Sequence, residues 1–212
     1  MEIKGKIVAN EIAHCKFGIG GKLASVNCKV GDQVKKGQLL ASLDKAELQK
    51  YLDRALKQYD LERAEFDEKQ KDSLNEYDKR KNQDRLDISV MNVEIAKANL
   101  DAANLHSSIY GIVTEIETGY PGDNITPAGF VITVCNPDSL CFFGEATEEN
   151  LSQIVVGEES IVQLNAFASK ELPGKIESVS FVPDNKGNYR VEIELNDLTG
   201  LRVGLTGKAL LN

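Results

Sequence analysis

One pattern is written twice in this chain, as Val26-Asn-Cys-Lys-Val-Gly-Asp-Gln-Val-Lys-Lys-Gly-Gln-Leu-Leu-Ala-Ser-Leu-Asp44 and as Ile109-Tyr-Gly-Ile-Val-Thr-Glu-Ile-Glu-Thr-Gly-Tyr-Pro-Gly-Asp-Asn-Ile125. In each copy apolar and polar residues alternate, as in a strand with one buried face, and a Gly-Asp pair marks a turn. The predicted turn positions are Gly31, Asp32, Gly37, Gly111, Gly122 and Asp123. We therefore expect the two copies to be matching halves of a single β domain.

Between the halves the apolar period changes from two to 3.6, from Lys45 to Leu105. Asp44 is suited to cap the helix that follows, and Glu47 is placed to complete a capping box. The outgoing stripe is Leu48, Leu52, Ala55, Tyr59, Glu62 and Phe66, and the returning stripe is Tyr77, Lys81, Asp84, Ile88, Met91, Ile95, Ala98, Ala102 and Leu105. Neither Gly nor Pro interrupts residues 45–110, so the sequence predicts two long helices.

These helices are predicted to form an antiparallel hairpin. A single helix would hold the two β halves about 90 Å apart, whereas a hairpin with arms of about 40 Å brings them together. The turn should lie near the midpoint, where Asp72, Ser73, Leu74 and Asn75 supply turn residues. Because the apolar stripes fade toward this tip, we expect these four residues to contact a partner.

A second β region follows Asn136-Pro137-Asp138. Its strand-like segments are Leu140–Ala146, Ser160–Leu164, Lys175–Phe181, Tyr189–Leu195 and Gly207–Leu211. Several short strands with regular turn signals are typical of a small barrel, to which residues 1–9 are expected to add a strand. The predicted domains are a split β domain (10–44 and 106–136), a helical hairpin (45–105) and a small β-barrel (1–9 and 137–212).

Charge and composition exclude some functions. The net charge is −8, which argues against a nucleic-acid-binding surface. The acidic charge is concentrated in residues 106–212, which hold 15 acidic and 6 basic residues. No apolar run approaches the roughly 20 residues that a membrane-spanning helix needs. No signal peptide is visible at Met1, which leaves open whether a targeting segment has been removed.

Catalytic and metal-binding patterns are also missing from the sequence. The cysteines at 15, 28, 135 and 141 fit no zinc spacing, and His14 and His106 are far apart. We interpret the cysteines as small buried residues on strands, although their pairing cannot be deduced from sequence. Carboxylate pairs such as Glu115/Glu117 and Glu192/Glu194 have strand spacing and suit a solvated face. We expect no catalytic, cofactor or metal site, and no enzyme.

Leu43-Asp44-Lys45-Ala46 resembles the Asp-Lys-Ala of lipoyl carrier domains, in which the lysine of a tight hairpin receives the cofactor. The pattern before Leu43 strengthens this resemblance. In a carrier domain, however, the second half follows within about ten residues, whereas here some sixty residues intervene and Lys45 falls in the first turn of a helix. A lipoyl or biotinyl carrier stays an alternative, which an adduct on Lys45 in the intact mass would favour.

The whole arrangement resembles the membrane fusion proteins, or periplasmic adaptors, of efflux and secretion systems. The matching residues are Val30–Asp44, Gly111-Ile-Val113, Gly122–Ile125, Val156-Gly157, Gly174–Val179 and Leu201–Gly207. The resemblance implies a mainly β fold with an inserted antiparallel α-helical hairpin. It consists of a split lipoyl-like (barrel-sandwich hybrid) domain and a small β-barrel.

The resemblance also implies a function. It indicates a non-enzymatic adaptor that forms a homo-oligomeric ring, commonly a hexamer, and couples an inner-membrane ABC- or RND-type transporter to an export conduit. Adaptors that dock on an outer-membrane channel often carry an Arg-x3-Leu-x6-Ser-like tip, which this chain lacks, so that partner is only an alternative. The expected location is extracytoplasmic, periplasmic or at the cell surface, with a membrane anchor N-terminal to this chain. A coiled-coil scaffold protein is the other alternative function.

Overall fold

The computed structural model describes residues 1–70, 75–117, 119–127, 129–167 and 170–211. Their strands are β1 (Glu2–Ala9), β2 (Ile12–Lys16), β3 (Gly21–Val26), β4 (Gln33–Val34), β5 (Leu39–Leu43), β6 (Asn104–His106), β7 (Gly111–Ile116), β8 (Asn124–Ile125), β9 (Val131–Cys135), β10 (Leu140–Ala146), β11 (Glu159–Leu164), β12 (Glu171–Val179), β13 (Tyr189–Leu195) and β14 (Thr206–Leu211). Helices α1 (Ala46–Lys69) and α2 (Glu76–Ala102) lie between β5 and β6. The chain divides into two compact units, one of residues 1–13, 109–112 and 134–212 and one of residues 14–108 and 113–133.

The first unit contains a closed barrel. Six of the described strands form it in the order β1-β10-β13-β12-β11-β14, and every neighbouring pair is antiparallel. Alternate residues point inward, as in β13, where Val191, Ile193 and Leu195 are buried. At Gly5 of β1 an added Cβ would collide with the carbonyl oxygen of Phe143 on the neighbouring β10, so glycine is needed there for close packing. The predicted barrel is confirmed, with β1 between β10 and β14.

One barrel strand differs from its prediction. The sequence predicts a strand over Lys175–Phe181, but β12 runs over Glu171–Val179. It passes through Pro173, which lies opposite Ile161 of β11. Proline usually marks a strand end because it has no N–H to donate. The sequence pattern therefore predicts a start for this strand that is too late. Phe181 then falls beyond the strand and is 99% exposed.

The second unit includes the interleaved part of the split domain. Among the described strands, two four-stranded sheets form in the orders β2-β9-β7-β4 and β6-β5-β3-β8. The short strand of each half joins the sheet of the other half, since β4 lies beside β7 and β8 beside β3. Both short strands contribute a buried residue, Val34 in β4 and Ile125 in β8. In the core of this unit the ring centroids of Phe17 and Phe130 lie 5.9 Å apart.

The helical insert differs in part from the prediction at both ends. Asp44 caps the first turn of α1 as predicted, since its carboxylate accepts a hydrogen bond from the Ala46 nitrogen at 2.9 Å, whereas Lys45, directly before α1, makes no side-chain cap hydrogen bond. The capping box predicted with Glu47 is wrong, because the Asp44 nitrogen donates instead to the Lys22 carbonyl oxygen at 2.7 Å. At the other end α2 stops at Ala102, and Leu105 is buried in β6, which pairs with β5. The fold class predicted from the sequence is confirmed; the predicted domain bounds stay a prediction.

Candidate functional site

The helical hairpin is the candidate functional site. Helix α1 has 24 residues and α2 has 27, which at 1.5 Å per residue makes arms of about 36 and 40 Å. The apolar core between the two helices is small, because their buried apolar residues are Leu52, Leu86 and Val93. A long arm with so narrow a core presents most of its surface outward, which suits contacts with other proteins more than binding of a small molecule.

The stripe predicted for α1 faces the partner helix. Leu52 is buried, and the other five residues of that stripe (Leu48, Ala55, Tyr59, Glu62 and Phe66) are half-buried. Leucine, tyrosine and phenylalanine at alternating spacings of three and four residues select this face because burial removes their apolar area from water. The prediction for α1 is confirmed.

The stripe predicted for α2 is wrong. Tyr77, Ile88, Met91 and Ile95 are each at least half exposed. The face turned toward α1 instead contains Asp78, Asn82, Leu86, Ser89, Val93, Ala96 and Leu100, all buried or half-buried. Ser89 is tolerated there because its hydroxyl donates to the Leu86 carbonyl oxygen at 2.7 Å. Because α2 is so polar, more than one of its faces has apolar residues at helical spacing. Only packing against α1 decides which of these faces is buried.

The face of α2 that the sequence predicts to be buried is instead an exposed apolar surface. We call it the outer stripe, and it consists of Ile88, Met91 and Ile95, which are 53, 50 and 59% exposed. Beside it a groove of about 550 Å³ runs between the helices, with Tyr51 and Ala55 on one side and Ile95 on the other. Three large apolar side chains in a row on one helix face are unusual for a surface that stays in water. The outer stripe is therefore a candidate contact surface.

Ion pairs join the two helices farther along the arm. The guanidinium of Arg85 on α2 lies 3.1 Å from Glu62 and 3.3 Å from Glu65 on α1. A hydrogen bond from Lys69, followed by the charge of Arg85, lowers the pKa of Glu65. Arg85 and Glu65 are exposed and Glu62 is half-buried, so these pairs orient the helices more than they stabilise the protein.

Two matched turns lie in the split domain. Gly31 and Gly122 have φ of +94° and +107°, a region that favours glycine. Asp32 accepts a hydrogen bond from the Lys29 nitrogen, and Asp123 accepts one from the Tyr120 nitrogen, both at 2.8 Å.

The other two glycines predicted at turns differ from each other. Gly37 also has a positive φ, of +80°. Gly111, however, is the first residue of a strand and not part of a turn. Its need for glycine is steric, since an added Cβ would collide with the carbonyl oxygen of Cys135.

At the hairpin tip Asp72, Ser73 and Leu74 lie outside the described residues. Asn75 is described and is the N-cap of α2, where its side chain accepts a hydrogen bond from the Asp78 nitrogen at 2.8 Å. This bond satisfies one of the free N–H groups at the start of the helix. Asn75 thus has a structural role, whatever else it contacts.

The residues considered for cofactor or metal chemistry are spread out. Lys45 lies between β5 and α1, not on a tight exposed hairpin. All four cysteines are buried and free. His14 Nδ1 lies 3.2 Å from the hydroxyl of Thr133. Within the part of the chain that the structure describes, no three His, Cys, Asp or Glu residues are grouped to hold a metal ion.

Sequence comparison finds distant relatives. No family model matches the chain. Multidrug resistance protein MdtE of Escherichia coli O6:H1 is 27% identical over 97% of this chain, which spans 53% of the relative. MdtE of Escherichia coli K12 matches with the same identity and coverage. The chain therefore spans about half the length of these relatives.

Solved structures share the fold. The membrane fusion protein Spr0693 from Streptococcus pneumoniae R6 aligns with a TM-score of 0.84 at 20% identity, over 100% of this chain and 98% of that one. A MacA-MexA chimeric protein containing the Pseudomonas aeruginosa MexA α-hairpin domain aligns with a TM-score of 0.89 at 20% identity, over 99% of this chain and 79% of that one. No described helix is long and apolar enough to cross a membrane. The chain is therefore similar in sequence to MdtE over about half of that protein, and it shares its fold with solved membrane fusion proteins.

Proposed function

We propose that this chain is a non-enzymatic adaptor of an efflux or secretion system. It acts outside the cytoplasm, where copies of it form a ring, with six as the favoured number. The ring couples an inner-membrane ABC- or RND-type transporter to an export path, and an outer-membrane channel is an alternative further partner. The observation that carries this proposal is the helical hairpin inserted into a split β domain, a combination shared with a named membrane fusion protein.

The outer stripe supports the ring. In a single copy Ile88, Met91 and Ile95 are exposed to water. A second copy packed along the same arm would bury them and would seat its own side chains in the groove beside Tyr51. Burial of apolar area is the main favourable term in most protein association, so a long shared face supplies affinity without any catalytic chemistry.

The hairpin tip is the proposed partner contact. We assign this contact to Asp72, Ser73, Leu74 and Asn75 because in the sequence they fall between the end of α1 at Lys69 and the start of α2 at Glu76. A capping residue at Asn75 holds the first turn of α2 in a defined direction, which supports presentation of the tip to another protein.

Light scattering and affinity capture test this proposal. The purified chain should form oligomers that Ile88→Asp/Met91→Asp/Ile95→Asp converts to monomers, because the charges cannot be buried. A matched control, Val155→Asp/Val156→Asp, alters two exposed apolar residues of the barrel unit and should leave the oligomers intact. Capture of the tagged protein from cross-linked host membranes should recover a transporter. A chain that stays monomeric at all concentrations and recovers no transporter would exclude the adaptor role.

A further inference from the structure

The loop between β12 and β13 holds apolar side chains in water. Phe181 is 99% exposed and Val182 is 70% exposed. The loop is nevertheless ordered by backbone hydrogen bonds: Ser180 donates to the Arg190 carbonyl oxygen and Asp184 to that of Asn188, both at 2.8 Å. Phe181 and Val182 are adjacent, so this ordered loop presents two neighbouring apolar side chains to its surroundings.

A groove of about 630 Å³ lies beside this loop on the outside of the barrel. Lys4 and Lys6 of β1 and Arg190 of β13 line it. Arg190 lies over the ring of Phe143, 4.7 Å from its centre. Neither lysine has an ion-pair partner in the described part of the chain. The groove therefore presents cationic side chains that the fold leaves available.

Two carboxylates share the groove, those of Glu145 and Asp184. Asp184 is engaged within the loop, where hydrogen bonds from the backbone of Asn188 and Lys186 lower its pKa. The groove and the loop together contain four cationic side chains and two carboxylates: Lys4, Lys6, Lys186 and Arg190, and Glu145 and Asp184. A third carboxylate, Glu192, lies close by, since it is two residues from Arg190 on β13 and pairs with Phe143. Acidic groups farther than about 8 Å are screened by salt at physiological ionic strength.

We propose that this face of the barrel binds the surface of a bilayer containing anionic phospholipid. Lys4, Lys6 and Arg190 contact headgroup phosphates, while the apolar side chains of Phe181 and Val182 are buried at the boundary between headgroups and acyl chains. A soluble anion in the groove would explain only the cations, because Phe181 lies outside the groove lining and would stay in water. A bilayer supplies both chemistries on one surface.

Vesicle flotation of the full chain tests this surface. At physiological ionic strength the protein should float with vesicles of phosphatidylcholine containing 30% phosphatidylglycerol and not with phosphatidylcholine alone. Phe181→Asp and Lys4→Glu/Lys6→Glu should each reduce the bound fraction at least fivefold. The matched controls Val156→Asp and Lys175→Glu change exposed residues elsewhere on the same unit and should bind as the original chain does. Thermal unfolding of each variant checks that it folds.

An introduced fluorophore gives a second readout. The chain has no tryptophan, so Phe181→Trp places the only indole at the proposed contact. Its emission should shift to shorter wavelength when anionic vesicles are added and should return in high salt. Val156→Trp, at an exposed position outside the surface, should not shift.

Three results would overturn the proposal. The first is equal binding to zwitterionic and anionic vesicles, or none to either. The second is equal loss of binding in the control variants. The third is a pair of observations: inorganic phosphate or glycerol phosphate protects Lys4 and Lys6 from an amine-labelling reagent, and the indole emission of the Phe181→Trp variant does not shift when vesicles are added. Together these would indicate a soluble-anion site. Since no transporter is used, failure of this proposal would leave the adaptor role untouched.

Discussion

The backbone nitrogen of Gly31 donates a hydrogen bond to the carbonyl oxygen of Val113 at 2.8 Å, joining residues from opposite halves of the split domain. Val113 returns a bond from its own nitrogen to the Asp32 carbonyl oxygen at 2.9 Å. The second half repeats the arrangement: Gly122 donates to Leu23 at 2.7 Å, and Leu23 donates to Asp123 at 2.8 Å. The pattern written twice in the sequence therefore forms one set of reciprocal contacts.

Gly31→Ala should lower the free energy of unfolding by about 1 kcal/mol, the usual cost of a left-handed conformation in a residue with a Cβ. The cost is purely conformational, because nothing lies within 4 Å of a Cβ added at Gly31. Gly31→Asn should cost less, since asparagine tolerates that conformation better. Urea denaturation measures all three proteins, and an unchanged midpoint for Gly31→Ala would contradict the prediction.

Leu86→Ala should lower the free energy of unfolding by about 2 to 3 kcal/mol, because it removes apolar contacts between the helices. Ile88→Ala, two residues away, should change it by no more than about 0.5 kcal/mol in the monomer. The difference follows from burial, since Leu86 is 9% exposed and Ile88 is 53% exposed. Thermal or urea unfolding at low protein concentration measures it. A larger effect at Ile88 would mean that the stripe predicted from sequence is the packed one.

Arg85→Ala should cost about 0.5 to 1 kcal/mol at low salt, because one exposed guanidinium serves two carboxylates on the other helix. The loss should shrink in high salt, since screening weakens exposed pairs. Arg63→Ala is the matched control, because Arg63 pairs only within its own helix, with Asp67 at 3.3 Å. A double-mutant cycle with Glu62→Gln isolates the pair energy, and zero coupling at low salt would refute the role given to Arg85.

Asn75→Ala should destabilise α2 by about 1 kcal/mol through loss of its cap. Asn75→Asp should retain that stability, since a carboxylate accepts the same hydrogen bond from the Asp78 nitrogen. Circular dichroism measures the cap, and an export assay in the host measures the proposed partner contact. Export lost in Asn75→Asp with helicity intact would support the contact, whereas export that follows stability alone would speak against it.

Cys141 should make stability fall between about pH 9 and pH 12. Burial, followed by the charge of Glu192, raises the pKa of its thiol from 9.0 to about 12. Below pH 9 both states keep the thiol protonated, whereas at higher pH the unfolded state loses the proton first, so unfolding becomes easier. Urea denaturation at pH 8 and pH 10.5 should show a smaller loss of stability in Cys141→Ala than in the original chain. Equal losses in the two proteins would argue against this contribution.

Much of the fold could be predicted from the sequence. The alternation on either side of the Gly-Asp pairs and the unbroken helical period after Asp44 are local signals, and they indicate strands and helices in the observed order. The candidate site was only partly predictable. The sequence predicts the hairpin and the inward face of α1, but it predicts the outer stripe to be buried, because polar α2 has no dominant apolar face.

The sequence by itself determined the order of the elements, the doubled turn and the inserted hairpin, because each depends on residues close together in the chain. Tertiary structure decided which side of α2 is buried, why Leu105 leaves the helical pattern for β6, and how β4 and β8 exchange between halves. It also decided that Phe181 lies beyond the end of β12 and outside the barrel core. Burial and strand pairing depend on what lies opposite in space, and a local pattern contains no information about that neighbour.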